Sequence, residues 1–168
     1  MRHAISILTI YLLVLATTPG MAGTSGAHFF SASSSVNTTN PEFAFGALVV
    51  DFDEAGLGNI SGQVAYSLTV TNATATYACI NGGGNHPKAA NKETVNGPLD
   101  ATGSFTPTKN GRVIASLPAG PLSAGDFSCP SGQTFVLASV SYAGITLTDT
   151  TDNVSITVTN VSKTFVNL

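Results

Sequence analysis

The sequence has no tryptophan, two cysteines and few charged side chains. Lysine and arginine together number six, and aspartate and glutamate number nine, in 168 residues. A chain this poor in basic residues lacks the clusters that nucleic acid and anionic membranes require, so we expect neither as a partner. The absence of tryptophan and the scarcity of other aromatic residues argue against a deep cleft that stacks on sugar rings.

Long apolar runs are also missing, except at the start. Residues 4–16 are almost continuously apolar, and they stand between a basic start and a Pro-Gly pair, which is the layout of a secretory signal peptide. The run is too short to span a hydrocarbon core of about 30 Å, so no membrane insertion is expected. Cleavage fits after Ala22 or after Ala27. We predict a signal peptide over 1–22 and a single β-sandwich domain over 23–168.

Export has consequences for charge and for the cysteines. Without Arg2 the chain keeps five basic and nine acidic residues, a net charge of −4. In an exported chain Cys79 and Cys129 most simply pair with each other, although free thiols or an intermolecular bridge are alternatives. Closing a loop of this size removes on the order of 4 kcal/mol of unfolded-state entropy. The expected location is extracellular.

Apolar residues recur with a period of two, which predicts strands throughout. One series runs from Val64 to Val70 and a second, of opposite parity, from Ala73 to Cys79. The change of parity at Thr71-Asn72 requires an extra residue, supplied by a β-bulge, by a corner between two sheets, or by a turn that splits the strand. The Asn110-Gly111 pair predicts a tight hairpin.

These signals predict an all-β protein of eight to nine strands with one disulfide. A two-sheet β-sandwich, immunoglobulin-like or a related Greek key, buries one face of each sheet. The immunoglobulin markers are incomplete, because no tryptophan can pack on the disulfide and Tyr77 precedes the first cysteine instead of the second. The topology therefore stays open.

A glycine-rich loop is the candidate recognition element. It follows the strand that ends near Cys79, and its predicted binding residues are Asn81, Gly82, Gly83, Gly84, Asn85, His86 and Lys88. A phosphate-binding loop would lead into a helix, and none is indicated here. A surface recognition loop or a plain connector fits better.

Two histidines suggest a copper site. If cleavage follows Ala27, His28 becomes the N-terminus and offers an amine and a ring nitrogen, with His86 as a third ligand. This is the ligand set of the histidine brace of secreted β-sandwich oxidases that act on polysaccharides, and Cu²⁺ favours such nitrogen-rich sites. Tyr142 is a candidate axial ligand. Two unrelated surface histidines are the alternative.

Carboxylates suggest a calcium site. Asp51, Asp53 and Glu54 cluster near a strand end, and residues 149–153 form a second acidic turn. Calcium takes six to eight oxygen ligands, and closely spaced carboxylates are a usual source. Solvated acids that terminate strands are the alternative.

The sequence carries glycosylation motifs but none of the catalytic motifs considered. Asn-x-Ser/Thr sequons occur at Asn37, Asn59, Asn72, Asn153 and Asn160. No Gly-x-Ser-x-Gly or His-Glu-x-x-His motif is present, so we predict no catalytic residue and no enzyme activity.

Three stretches, residues 54–59, 78–92 and 136–142, resemble motifs shared by small secreted microbial proteins of unknown function. The resemblance implies a common β fold and an extracellular location, and it carries no activity. We therefore expect a non-enzymatic protein that binds a glycan or a host or cell-surface protein through its loops, as a surface component or effector. A copper histidine-brace protein and a carbohydrate-binding module are the alternatives.

Overall fold

The computed structural model describes residues 26–59, 61–81 and 91–168, and none of these residues is helical. The eight strands are β1 (His28–Val36), β2 (Leu48–Ala55), β3 (Val64–Asn81), β4 (Lys92–Phe105), β5 (Val113–Ala119), β6 (Gln133–Asp149), β7 (Val154–Val158) and β8 (Val161–Thr164). The predicted all-β class is confirmed.

The strands form two antiparallel sheets that pack face to face. The three-stranded sheet has the order β1-β2-β5, and the five-stranded sheet has the order β4-β3-β6-β7, with β8 also paired to β6. The predicted sandwich is therefore confirmed, and its topology is decided. The order matches the constant-type immunoglobulin sandwich except that β4 pairs with β3 instead of with β5.

The core lies between the sheets and follows the alternation of the sequence. Leu48, Val50 and Phe52 of β2 point inward and are at most 3% exposed. They face Tyr66 and Leu68 of β3, and the Phe52 and Tyr66 ring centroids are 4.7 Å apart. Burial of these alternate positions is the main favourable contribution to folding.

The parity change in β3 is a β-bulge. β3 runs without interruption, and its register against β4 shifts between Val70 and Ala73. The extra residue lets the apolar side chains of both halves face the same core, whereas an unbroken alternation would turn one half outward.

The hairpin predicted at Asn110-Gly111 is wrong, although a tight turn is present. The Thr108 N–H donates to the Arg112 carbonyl at 2.8 Å, but β4 and β5 lie in different sheets. The turn docks on the β2–β3 connection, where the Leu57 N–H donates to the Gly111 carbonyl at 3.1 Å. This docking directs the chain across to the other sheet.

The predicted disulfide is confirmed. Cys79, near the end of β3, is bonded to Cys129 in the segment between β5 and β6. Such a bridge is typical of proteins that fold in an oxidising compartment.

Candidate functional site

A shallow groove of about 280 Å³ lies on the outer face of the three-stranded sheet, where β1 ends and β2 begins. The loop over residues 37–46 forms one wall. Residues that line the groove include Ser35, Asn37, Thr39, Phe43, Asp51 and Ser116. A smaller depression of about 200 Å³ lies against the same loop near Pro41 and Phe45.

Asn37 organises this loop from within. Its side-chain amide donates to the carbonyls of Asn40 (3.0 Å), Phe43 (2.8 Å) and Ala44 (3.0 Å). Its Oδ1 accepts hydrogen bonds from the backbone N–H groups of Thr39 and Asn40. Asparagine replaces backbone partners in this way in turns, so one buried side chain satisfies five backbone polar groups of the loop.

The polar end of the groove is formed by Asp51 and Ser116. The Ser116 hydroxyl donates to Asp51 Oδ1 at 2.5 Å, across the β2–β5 pair. Of the described residues that line the groove, only Asp51 is charged. The groove thus offers a carboxylate, several hydroxyls and the half-buried ring of Phe43.

The other end of the same face carries an apolar patch around an ion pair. Arg112 forms a two-pronged ion pair with Asp53, and this pairing lowers the pKa of the Asp53 carboxyl. The guanidinium also lies 5.8 Å from the ring centroid of Phe30. Phe30 is 74% exposed and Ile114 is 71% exposed.

A buried acid cluster joins the two sheets. Glu54 of β2 and Asp149 of β6 are both fully buried, and Asp149 is the direct cross-strand partner of Tyr66. The Tyr66 hydroxyl donates to Glu54 Oε2 at 2.6 Å. Asp149 Oδ1 accepts the N–H groups of Thr151 (2.7 Å) and Asp152 (3.2 Å).

Burial governs the protonation of this cluster. Desolvation raises the pKa of Glu54 to about 7, against the hydrogen bond from Tyr66, and the nearby Asp149 and Asp152 reinforce the rise. Desolvation also raises the pKa of Asp149. Glu54 Oε1 and Asp149 Oδ2 are buried and accept no hydrogen bond from the residues that the structure describes. When Glu54 is protonated, its carboxyl can donate a hydrogen bond to the Asp149 carboxylate, and this bond gives both oxygens a partner.

Most of the predicted recognition loop lies outside the described residues. This applies to Gly82, Gly83, Gly84, Asn85, His86 and Lys88, and so the prediction that they bind a ligand stays a prediction. Asn81 is the exposed last residue of β3. The base of the loop is closed by the Cys79 N–H, which donates to the Asn91 carbonyl at 3.0 Å.

The copper site at His28 and His86 stays a prediction, because His86 lies outside the described residues. His28 is exposed at the start of β1, and its Nδ1 lies 2.7 Å from the Gly26 carbonyl oxygen. Tyr142 does not fit as an axial ligand. Its buried hydroxyl donates to the Gly46 carbonyl just before β2, whereas His28 pairs with Ala55 at the far end of that strand, about 23 Å away.

The predicted calcium ligands do not converge. Asp51 and Asp53 lie on the outer face of β2, and Glu54 points into the core, because successive side chains of a strand alternate between its faces. Within residues 26–59, 61–81 and 91–168, no group of three histidine, cysteine, aspartate or glutamate residues could hold a metal ion. The geometry therefore does not support calcium at Asp51, Asp53 and Glu54.

The sequons differ in accessibility. Asn59, Asn72, Asn153 and Asn160 are exposed, whereas Asn37 is 8% exposed and its amide is committed to the loop. A glycan replaces one amide hydrogen, so attachment at Asn37 would remove loop hydrogen bonds.

The acid cluster is the feature that the sequence interpretation missed. The signal is present, because Glu54 continues the inward series Leu48, Val50, Phe52 and Asp149 continues the inward series Ile145, Leu147. An acid that extends an alternating apolar series lies on the core face. Both residues resembled ordinary turn acids because each ends its series.

Comparisons with protein-family models, with curated proteins and with solved structures gave no match to this chain. No helix able to cross a membrane occurs in the parts of the chain that the structure describes.

Proposed function

We propose that this chain is a non-enzymatic extracellular binding protein whose ligand site is the groove beside the 37–46 loop. The observation that carries the proposal is the internal anchoring of that loop by Asn37. Because the loop is held before a ligand arrives, little conformational entropy is lost on binding. This proposal places recognition at a different loop from the glycine-rich one predicted from the sequence, because the groove lies among the described residues.

The chemistry of the groove favours a small uncharged polyol, such as the terminal sugar of a glycan. Asp51 uses one carboxylate oxygen for Ser116, and the other accepts no hydrogen bond from a described residue. It is available to sugar hydroxyls, while Phe43 offers an apolar surface to ring C–H groups. Among the described residues no basic side chain lines the groove, which disfavours acidic sugars. Its volume suits one sugar ring better than a long chain.

Secretion is part of the proposal. The signal-peptide pattern over residues 1–22, the disulfide and the exposed sequons support an extracellular, glycosylated protein. A carbohydrate-binding module is the form of binding that the groove favours. In a microbial source it would serve as a surface component or a host-directed effector.

Attachment to a host or cell-surface protein is the second candidate function, and a separate observation favours it. Phe30 and Ile114 are exposed beside Arg112, and aromatic and arginine side chains are enriched at protein interfaces. Replacing both residues by serine would lower capture of a protein partner and leave sugar binding unchanged.

An array of neutral and acidic oligosaccharides, followed by titration of the sugars that bind, tests the groove. We expect neutral sugars to bind, and Asp51→Asn or Phe43→Ala to weaken them about tenfold through lost contacts. Asp126→Asn, which removes an exposed carboxylate away from the groove, is the matched control. Absence of binding, or equal binding by Asp51→Asn and Asp126→Asn, would contradict the proposal.

A further inference from the structure

The outer face of the five-stranded sheet is a regular array of hydroxyl groups. On one side of the β3 bulge, the strand registers align two rows. The first row is Thr102, Ser67, Thr148 and Ser155. The second row is Asp100, Thr69, Thr146 and Thr157. All eight side chains are exposed or half-buried.

The array continues beyond the bulge, with β8 in place of β7. The third row is Asn96, Thr74, Ser141 and Ser162, and the fourth is Thr94, Thr76, Ser139 and Thr164. Fourteen of the sixteen positions in these four rows carry a hydroxyl, and the exceptions are Asp100 and Asn96. We call these sixteen residues the hydroxyl face.

Several side chains of the hydroxyl face are held in place by one another. The Thr74 hydroxyl donates to Asn96 Oδ1 at 2.8 Å. The hydroxyls of Thr76 and Thr94 are 3.2 Å apart, and those of Thr148 and Ser155 are 2.9 Å apart. Threonine has few χ1 rotamers, so these hydroxyls lose little freedom when a partner binds.

We propose that the hydroxyl face binds the chain of an uncharged polysaccharide. Each hydroxyl both donates and accepts, so the complementary partner offers donors and acceptors at similar density and carries no charge. The sixteen positions include no aromatic or large apolar residue, which a protein interface would need at its centre. They include no basic residue either, which excludes nucleic acid and anionic polymers as partners.

The shape of the face distinguishes a polymer chain from a rigid lattice. Adjacent strands in a sheet are rotated by about 20–25°, so four strands turn the array by roughly 60°. A flexible polysaccharide can follow this curvature, whereas a crystalline plane such as ice meets only part of it. Individual hydrogen bonds in water contribute little, so affinity depends on many of them along one chain.

The hydroxyl face is on the opposite side of the sandwich from the groove, and so its function does not depend on the groove. Asp51 and the 37–46 loop belong to the three-stranded sheet, and the array belongs to the five-stranded sheet. A variant of either surface therefore tests that surface alone.

Affinity electrophoresis in gels that contain dextran, a soluble β-glucan or hydroxyethyl cellulose tests the proposal. We expect at least one of these polymers to retard the intact protein. Replacing Thr69, Thr146 and Thr157 by valine keeps the shape and β-branching and removes three hydroxyls of one row. This variant should bind about tenfold more weakly.

The matched control removes exposed hydroxyls from the other sheet, by Ser31→Ala and Ser33→Ala on β1. It should be retarded like the intact protein, as should Asp51→Asn, and thermal unfolding should confirm that every variant is folded. No retardation by any of the three polymers, or equal retardation of the row variant, would overturn the proposal. The intact protein could instead self-associate or inhibit ice recrystallisation. If the row variant abolished either property, the hydroxyl face would bind another partner, and the proposal would be overturned.

Discussion

Tyr66 donates a hydrogen bond of 2.6 Å to Glu54 across the interface between the two sheets. Both side chains are at most 1% exposed, and Asp149 lies beside them as the strand partner of Tyr66. An acid held this deep interacts less favourably with its surroundings when it is charged than when it is neutral. This polar connection between otherwise apolar sheet faces makes stability depend on protonation.

The protein should be more stable in mild acid than in mild base. The pKa of Glu54 is raised from 4.5 to about 7 in the folded state, so the folded protein binds this proton more tightly than the unfolded chain. The resulting stabilisation is fully present below pH 4.5 and is lost as the pH rises through 7, a change of about 3 kcal/mol. Urea unfolding at pH 5 and pH 8, with the disulfide intact, measures it. Greater stability at pH 8 would contradict this assignment.

Glu54→Gln should remove most of this dependence. The glutamine amide can accept from Tyr66 and donate to Asp149 without a charge, so at pH 8 the variant should be more stable than the intact protein by about 2 kcal/mol. At pH 5 the two should agree within about 1 kcal/mol. The control is Glu93→Gln on the exposed surface of β4, which should leave the pH profile unchanged. Urea unfolding curves at pH 5 and at pH 8 measure the stability difference between the variant and the intact protein.

Tyr66→Phe should have the opposite effect at high pH. Loss of the hydroxyl leaves Glu54 Oε2 buried without its donor, at a cost of about 1–3 kcal/mol. The hydrogen bond lowers the pKa of Glu54, so its loss should raise that pKa further and extend the stability decline to higher pH. Tyr77→Phe is the matched control, because its hydroxyl donates to the Leu122 carbonyl away from the cluster. If both variants give the same pH profile, Tyr66 has no special coupling to Glu54.

Asn37→Ala should disorder the loop that walls the groove. The carbonyls of Asn40, Phe43 and Ala44 lose their donor, and we expect a loss of about 2 kcal/mol together with faster proteolysis within residues 38–46. Asn72→Ala, at an exposed position, should change neither property. Limited proteolysis with mass mapping locates the cleavage. An unchanged digestion pattern would show that the loop does not depend on Asn37.

The local sequence was sufficient to predict those features of the fold that depend on one side chain or on one strand. The eight strands of the described residues agree with the predicted eight to nine. The need for an extra residue near Thr71-Asn72 follows from the parity of apolar residues alone, and the structure shows that a β-bulge supplies it. The disulfide was predicted because the sequence has only two cysteines and is expected to be exported.

Features that require two distant segments were not predictable in the same way. The turn at Asn110-Gly111 has hairpin chemistry, yet its contacts with residues 57–58 send β5 to the other sheet. The groove combines β1, β2, β5 and a loop anchored by one buried asparagine, and no short motif signals that combination.

The sequence by itself determined that this is an all-β chain of low charge that is rich in hydroxyl side chains, because alternation and composition are local properties. Only the tertiary structure decided which hydroxyls align into rows, because the register between strands is set when both sheets bury their apolar faces. It also decided that Glu54 and Asp149 meet, because each belongs to a different sheet and only sandwich packing brings the two strand ends together.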